Sequence, residues 1–379
     1  MMQWNKVDSI YPQSVRVGFD FYGAGNIGDD LMVAGFIEAI KSLYSDQVVD
    51  IKILTKGDIQ SQKIRFPELV WIERNESFHY TSFLDSLDCW AGVGDTPFQL
   101  TCGPWLLKSL TDDLKNIENF NQRVLINVGA EIAILKMREQ FSSLANFFDR
   151  ISVRDAHTYS ILSKELNVPE EKLFLSSDLA NISLPSILSR QNPQVNYGLG
   201  LIIAGDALKP KDISVVKKFI ESQKEEVAFI AGETRLGPLT RNGYSFRKTP
   251  LYERRIFEEI SKPPKSKVSQ KARLLVPNYQ SGSLYDLIAP ICTCDSIITT
   301  RYHGLLAAAW AGCKVSAIRR SSKVSALAEL LDIPYVELPI TLSKLEFLKE
   351  KSVKVSREKL ENLRDKAFEG VSFALSQKL

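Results

Sequence analysis

Three histidines, five cysteines and four methionines are all that 379 residues contain of these types. The cysteines (Cys89, Cys102, Cys292, Cys294 and Cys313) are odd in number and irregular in spacing. With so few imidazoles beside them, no zinc-ligand pattern forms and no metal is expected. Most of the cysteines lie in apolar stretches and read as buried thiols in a reducing compartment. Long apolar runs are missing too. None approaches the ~18 residues of a membrane-spanning helix. The first residues, MMQWNKVDSIYPQ, lack the charged and apolar regions of a secretory signal. A cytoplasmic protein is expected, free or peripheral to the inner face of the membrane. An excess of one charge is also lacking. Forty-eight basic residues against 45 acidic ones leave +3, too mild to argue for nucleic acid.

What is present suits two globular cores. Hydrophobic residues make up 44% and charged ones 25%, and at roughly 100–200 residues per domain the length favours two domains. Apolar β-branched runs alternate with helical patterns along the chain. Strands are expected at 15–21, 48–54, 88–95, 124–130 and from 150. A linker is expected at RQNPQ, 190–194. The rhythm then restarts at 197–205 and continues through 226–232, ARLLVPNY and 314–318. A helix near 212–224, one over SLYDLIAPICTC capped by Ser283, and one starting near Lys323 accompany these strands. Residues 233–272 are rich in Arg, Lys, Pro and Gly and read as a loop over a cleft. From Ser356, apolar positions 360, 363, 367, 371, 374 and 375 make a one-faced helix packed on a domain. Apolar strands without alternation imply parallel sheets covered on both faces. The expected fold is α/β, with two Rossmann-like domains (1–190 and 195–355) facing across a cleft in a GT-B-like way, and a C-terminal helix over 356–379.

Polar residues gather where strands hand over to helices, at the carboxyl edge where parallel sheets bind ligands. ITTRYHGLLAAAWAG, 298–312, is the densest such turn. It places Arg301 and His303 at a helix N-terminus that itself favours anions. Near the start, YGAGNIGDDLM gives a glycine turn before a helix with apolar positions 33, 36, 37, 40 and 44. Asn26, Gly28 and Asp29 are its candidate ligand contacts, and Asp29 or Asp30 is expected to cap the helix. AGVGD puts Gly94 and Asp95 at a second glycine turn. RISVRDAHTYSIL puts Arg154 and Asp155 after another strand. Each has a plainer reading. Arg154 could pair with Asp155 at the rim, His303 could cap its own helix, and Lys323 could be a solvated lysine. Asp95 could serve only its turn, and Tyr302 could pack under its turn or stack on a sugar. His79 and His157 read as structural or surface residues.

Four islands together resemble the polysaccharide pyruvyl transferase family: GAGNIGDDLM, ISVRDAHTYSIL, ITTRYHGLLAAAWAGCKVSAI and SSKVSALAELLDIP. Their order and separation fit over roughly 15–335. Tyr302 stands where the family usually has Leu, Ser177-Asp178 replaces a Pro-Asp pair, and one glycine of a GG motif is displaced in AGVGD. The resemblance implies a GT-B-like enzyme that moves the pyruvyl unit of phosphoenolpyruvate onto sugar hydroxyls, giving a ketal and phosphate. It implies no cofactor. The partners would be phosphoenolpyruvate and a glycan, lipid-linked or nucleotide-linked sugar acceptor. Phosphoenolpyruvate carries a carboxylate and a phosphate, both suited to the planar fork of arginine. Arg154 and Arg301 would close on it from two domains and Lys323 would neutralise phosphate. His303 would exchange protons, with Asp95 or Asp29 receiving a proton from the sugar or orienting it, and Gly94 and Gly304 would admit the ligand. Two rivals stand beside this reading: a GT-B glycosyltransferase using a nucleotide sugar, and an inactive homologue that binds glycan or anion.

Overall fold

The structure is a computed structural model that describes residues 14–20, 27–45, 48–55, 59–73, 82–83, 86–100, 122–189, 191, 193–204, 208–232, 253–261, 271–278 and 282–376. Among them, strands form two sheets of seven and six. The first contains β1 (Ser14–Asp20), β2 (Val48–Thr55), β3 (Val70–Glu73), β4 (Cys89–Val93), β5 (Arg123–Val128), β6 (Arg150–Val153) and β7 (Leu173–Leu175). The second contains β8 (Tyr197–Ile202), β9 (Val227–Ile230), β10 (Ala272–Leu275), β11 (Cys294–Thr299), β12 (Lys314–Arg319) and β13 (Tyr335–Glu337). Their orders are β3-β2-β1-β4-β5-β6-β7 and β10-β9-β8-β11-β12-β13. Every ladder is parallel.

The two halves repeat one plan. In each, strand order reverses beside the first strand of the half, between β1 and β4 and between β8 and β11. Such reversals splay the following loops apart and open a crevice at the carboxyl ends. The turn bearing Arg301 follows β11, at the reversal of the second sheet.

Most expected strands agree with the structure to within a few residues. β3, β7 and β13 were not anticipated, because three or four residues carry no readable period. The helix Ala180–Ser189 was missed as well. Pro185 lies inside it and disguises its pattern. Ser283 caps the helix Leu284–Cys292 as expected, accepting the Asp286 N–H in a capping box. The four described cysteines are buried free thiols, and Cys102 lies outside the described residues. Most of the loop expected at 233–272 also lies outside them, while Glu253–Ile260 is helical. Among the described residues, no helix is long and apolar enough to cross a membrane.

Two helices join the halves. Ala180–Ser189 packs its Ala180 and Leu184 with Ile27 and Leu31 of the helix Ile27–Leu43, and with Leu305 and Trp310 from the second half. Gly35 lets the two first-half helices touch, since a Cβ there would stand 2.0 Å from the Leu179 carbonyl oxygen. The C-terminal helix, Arg357–Leu375, crosses back to the first sheet. Its expected apolar positions are all buried. Ala367 and Val371 pack with Val124 and Ile126, and Asn127 Nδ2 donates to the Ala367 carbonyl at 3.1 Å.

Candidate active site

Hydroxyls and a glycine lock the second-sheet side of the site. Thr300 Oγ1 accepts the Ala204 N–H at 2.8 Å, tying the end of β11 to the loop after β8. Thr299 Oγ1 accepts the Arg301 N–H at 2.9 Å. Arg301 stays extended (φ −99°, ψ 131°) as the residue before the helix Tyr302–Trp310, and its side chain makes no capping bond. Gly304 lets that helix lie against the sheet, because a Cβ there would be 2.9 Å from Thr299 Oγ1. His303 therefore projects from the first turn at a fixed height. Tyr302 is buried beneath it, in T-shaped contact at 5.1 Å. Burial, then the nearby Asp178, pushes the Tyr302 phenol well above its usual pKa.

The first-sheet side converges on one buried carboxylate. Arg154 follows β6 and is 5% exposed. Its Nη2 donates to Thr96 Oγ1 at 2.8 Å, and its Nη1 lies 3.5 Å from Asp178 Oδ2. Its Nε is 3.8 Å from Asp155 Oδ2. Asp155 is chiefly a helix cap, accepting the Thr158 N–H at 2.7 Å. The Arg154 guanidinium carbon also stands 5.3 Å from the Tyr302 ring centre. Asp178 is fully buried, with Oδ1 accepting the Ala180 N–H at 3.0 Å. From the other half, His303 Nε2 comes within 3.4 Å of the same Oδ2 that faces Arg154. Burial alone would raise the Asp178 pKa. His303, Arg154 and the Ala180 N–H outweigh it and hold the carboxyl at about 2. On its far side the imidazole rests on Gly28, where a Cβ would stand 2.0 Å from Nδ1.

Two cavities flank this cluster. The larger, about 220 Å³, lies between the halves and is lined by Thr96, Glu131, Arg154, Asp155 and His157 from one and Ser321, Ser322 and Lys323 from the other. The smaller, about 70 Å³, is lined by Ile27, Arg301, His303, Gly304, Arg320 and Lys323 among others. Lys323 borders both. It is exposed to cleft water, but the surrounding protein, then Arg154 and Arg320, push its pKa down to about 8 against the pull of Asp95 and Glu131. Contact with water tempers that depression.

The structure brings Arg301, His303, Gly304, Lys323 and Gly28 together. Arg154 meets His303 through Asp178 and shares the larger cavity with Lys323, and the two arginines expected to close on one anion line different cavities. Asp95 has left-handed backbone (φ 58°) after Gly94 (φ 65°). Its carbonyl accepts the Gly129 N–H at 2.9 Å, and its charge reaches Arg154 and Lys323. Gly94 is pressed on Met32, whose sulfur would be 2.6 Å from a Cβ there. Gly28, Gly94 and Gly304 thus have packing reasons that stand without a ligand. Neither Asp29 nor Asp30 caps the first helix, which corrects that expectation. The helix begins at Ile27, so both fall inside its first turn, and Asp30 is buried 3.2 Å from Arg65. Asn26 lies outside the described residues. His157, read as structural or surface, faces the larger cavity. Sequence reasoning gave no role to Asp178, Arg320 or Glu131. For Asp178 the signal was a lone carboxylate in the otherwise uncharged stretch LSSDLANISL.

Comparison with known proteins agrees with this architecture. The family description polysaccharide pyruvyl transferase matches residues 26–322. No curated protein matches the chain. Among solved structures, it is similar to the UDP-GlcNAc 2-epimerase of Methanocaldococcus jannaschii, with a TM-score of 0.60 at 11% identity over 94% of this chain and 98% of that one. It is also similar to Anabaena Alr3699/HepE in complex with UDP and glucose, with a TM-score of 0.52 at 12% identity over 94% and 95%. A glycosyltransferase from Rickettsia africae ESF-5 gives 0.50 at 12% identity over 96% and 95%. At such identities the likeness is one of fold, and the fold is GT-B-like.

Proposed function

The chain belongs to the polysaccharide pyruvyl transferase family, and from that premise we propose that it moves the pyruvyl group of phosphoenolpyruvate onto two hydroxyls of a sugar as a ketal. One observation carries the reading. The small cavity gathers Arg301, Arg320 and Lys323 around His303, and no carboxylate lines it among the described residues. Such a site favours an anion beside an imidazole, which can both give and accept a proton.

The reaction balances within the two substrates. The donor methylene gains one proton to become a methyl group, which makes C2 electrophilic. A sugar hydroxyl adds at C2, the C2–O bond to phosphate breaks, and a second hydroxyl closes the ketal. Two hydroxyl protons are released. One equals the proton gained by carbon and the other leaves on hydrogen phosphate. His303 is the group that delivers and receives these protons. Arg301 and Lys323 offset the charge that grows on the departing phosphate, where fixed cations act more strongly than in bulk water. The larger cavity suits the acceptor, a glycan or a lipid- or nucleotide-linked sugar, because its cations are balanced by Glu131 and Asp155 and interleaved with hydroxyls.

A second reading, glycosyl transfer from a nucleotide sugar, is favoured by the fold shared with a protein bound to UDP and glucose. The two separate in one assay. Phosphate release from phosphoenolpyruvate is followed across β-linked galactosyl, glucosyl and N-acetylmannosaminyl acceptors, beside UDP release from UDP-sugars. Acceptor-dependent phosphate release is expected. UDP release alone would replace the proposal with the second reading, and neither product would leave a binding protein.

A further inference from the structure

The family and the geometry leave Asp178 without a role. It is a fully buried carboxylate with one oxygen committed and one contested. Oδ1 accepts the Ala180 N–H at 3.0 Å and fixes the carboxyl plane. Oδ2 faces two nitrogens from opposite halves, Arg154 Nη1 at 3.5 Å and His303 Nε2 at 3.4 Å. A counter-ion for Arg154 alone would need neither His303 nor this orientation, and Arg154 already has Thr96 and Asp155.

An ionised carboxylate only accepts hydrogen bonds. Whatever nitrogen faces it must carry a proton. The imidazole packs on its other sides against the Gly28 backbone and the Tyr302 ring. We propose that Asp178 is the positioning residue of His303, fixing it as the Nε2–H tautomer and leaving Nδ1 as the nitrogen that exchanges protons with substrate. The second clause rests on the transferase reading; the first does not. The dyad is also divided between the halves, since Asp178 follows β7 of the first sheet and His303 follows β11 of the second.

The tautomer is read directly by correlating ring protons with ¹⁵N in histidine-labelled full-length protein, at alkaline pH and without substrate. The His303 signals are assigned by their loss in His303→Gln. A protonated Nε2 with a bare Nδ1 is expected. A protonated Nδ1, or an even mixture, overturns the proposal. In Asp178→Asn the tautomer should become mixed. The turnover number should fall on the order of 10²-fold or more, as for loss of positioned acid–base catalysis, while KM for phosphoenolpyruvate changes less than about threefold. A lower melting temperature with the wild-type tautomer and turnover would assign Asp178 to Arg154 alone and refute the proposal. If Asp178→Asn does not fold, the wild-type tautomer still decides. Absence of phosphate release in every assay, with the Nε2–H tautomer present, would sink the transferase reading and leave the positioning role standing.

Discussion

The two sides of the cluster are built in opposite ways. On the second sheet, Thr299, Thr300, Arg301, His303 and Gly304 are near neighbours in sequence, and local bonds set their geometry. On the first sheet, Gly28, Thr96, Arg154 and Asp178 come from four distant segments and meet only because the sheet order places their turns at one edge. One side is a motif and the other an assembly. A motif tolerates change elsewhere in the chain, whereas an assembly fails if any of its contributing segments shifts.

The largest effect should come from the motif. His303→Ala is expected to lower turnover on the order of 10²–10⁴-fold while the melting temperature stays within a few degrees. Undiminished turnover would remove His303 from the chemistry.

Next comes the assembly's hidden reach into the motif. Gly28→Ala would set a methyl group 2.0 Å from His303 Nδ1. That clash outweighs the up to about 1 kcal/mol by which alanine favours a helix over glycine, so stability should fall by roughly 1–3 kcal/mol. Turnover should fall by roughly 10²-fold, the cost of an ångström-scale misplacement. Equal activity would show that the ring has room the structure denies it.

The two arginines should then part company. Arg154→Ala leaves Asp178 buried with one cation fewer and should cost about 3 kcal/mol in urea unfolding. Arg301→Ala should cost less in unfolding than Arg154→Ala but raise KM for phosphoenolpyruvate by roughly tenfold, the worth of one charge-assisted contact. Matching losses of stability would erase the distinction between motif and assembly.

These contrasts explain what the sequence disclosed. The α/β class and the Arg301–His303 turn were legible because period and composition are local properties. Asp178 was not, because its meaning lies in two partners that stand 24 residues before it and 125 after it. Gly28 was noticed as part of a glycine turn, which suggests a ligand as readily as the neighbouring imidazole that packs on it. The expected clamp of Arg154 with Arg301 could not be read from either turn alone, since the two side chains line different cavities. Burial ties Arg154 to Asp178, Asp155 and Thr96 before any ligand arrives.

Smaller effects follow from pH. Asp178 has its folded pKa lowered from 3.8 to about 2. Its stabilisation is therefore complete above about pH 4 and is lost as pH falls toward 2. At about 1.4 kcal/mol per unit, the loss is roughly 2–3 kcal/mol. Acid unfolding of Asp178→Asn should lack this component. Smallest is Lys323. As pH rises above about 8, by a margin set by its contact with water, it loses its charge, and KM for phosphoenolpyruvate should rise severalfold. In Lys323→Arg that rise should vanish, and its persistence would place the titrating group elsewhere.

The central claim, that the cationic cavity around His303 serves pyruvyl transfer, meets its most direct test in heavy water. Protein, phosphoenolpyruvate and an acceptor glycan are followed together by ³¹P and ¹H resonance. The account predicts that the donor phosphorus signal gives way to inorganic phosphate. A methyl singlet should grow in step, carrying one deuterium taken up at the former methylene. An unchanged donor beside consumed UDP-sugar would contradict it.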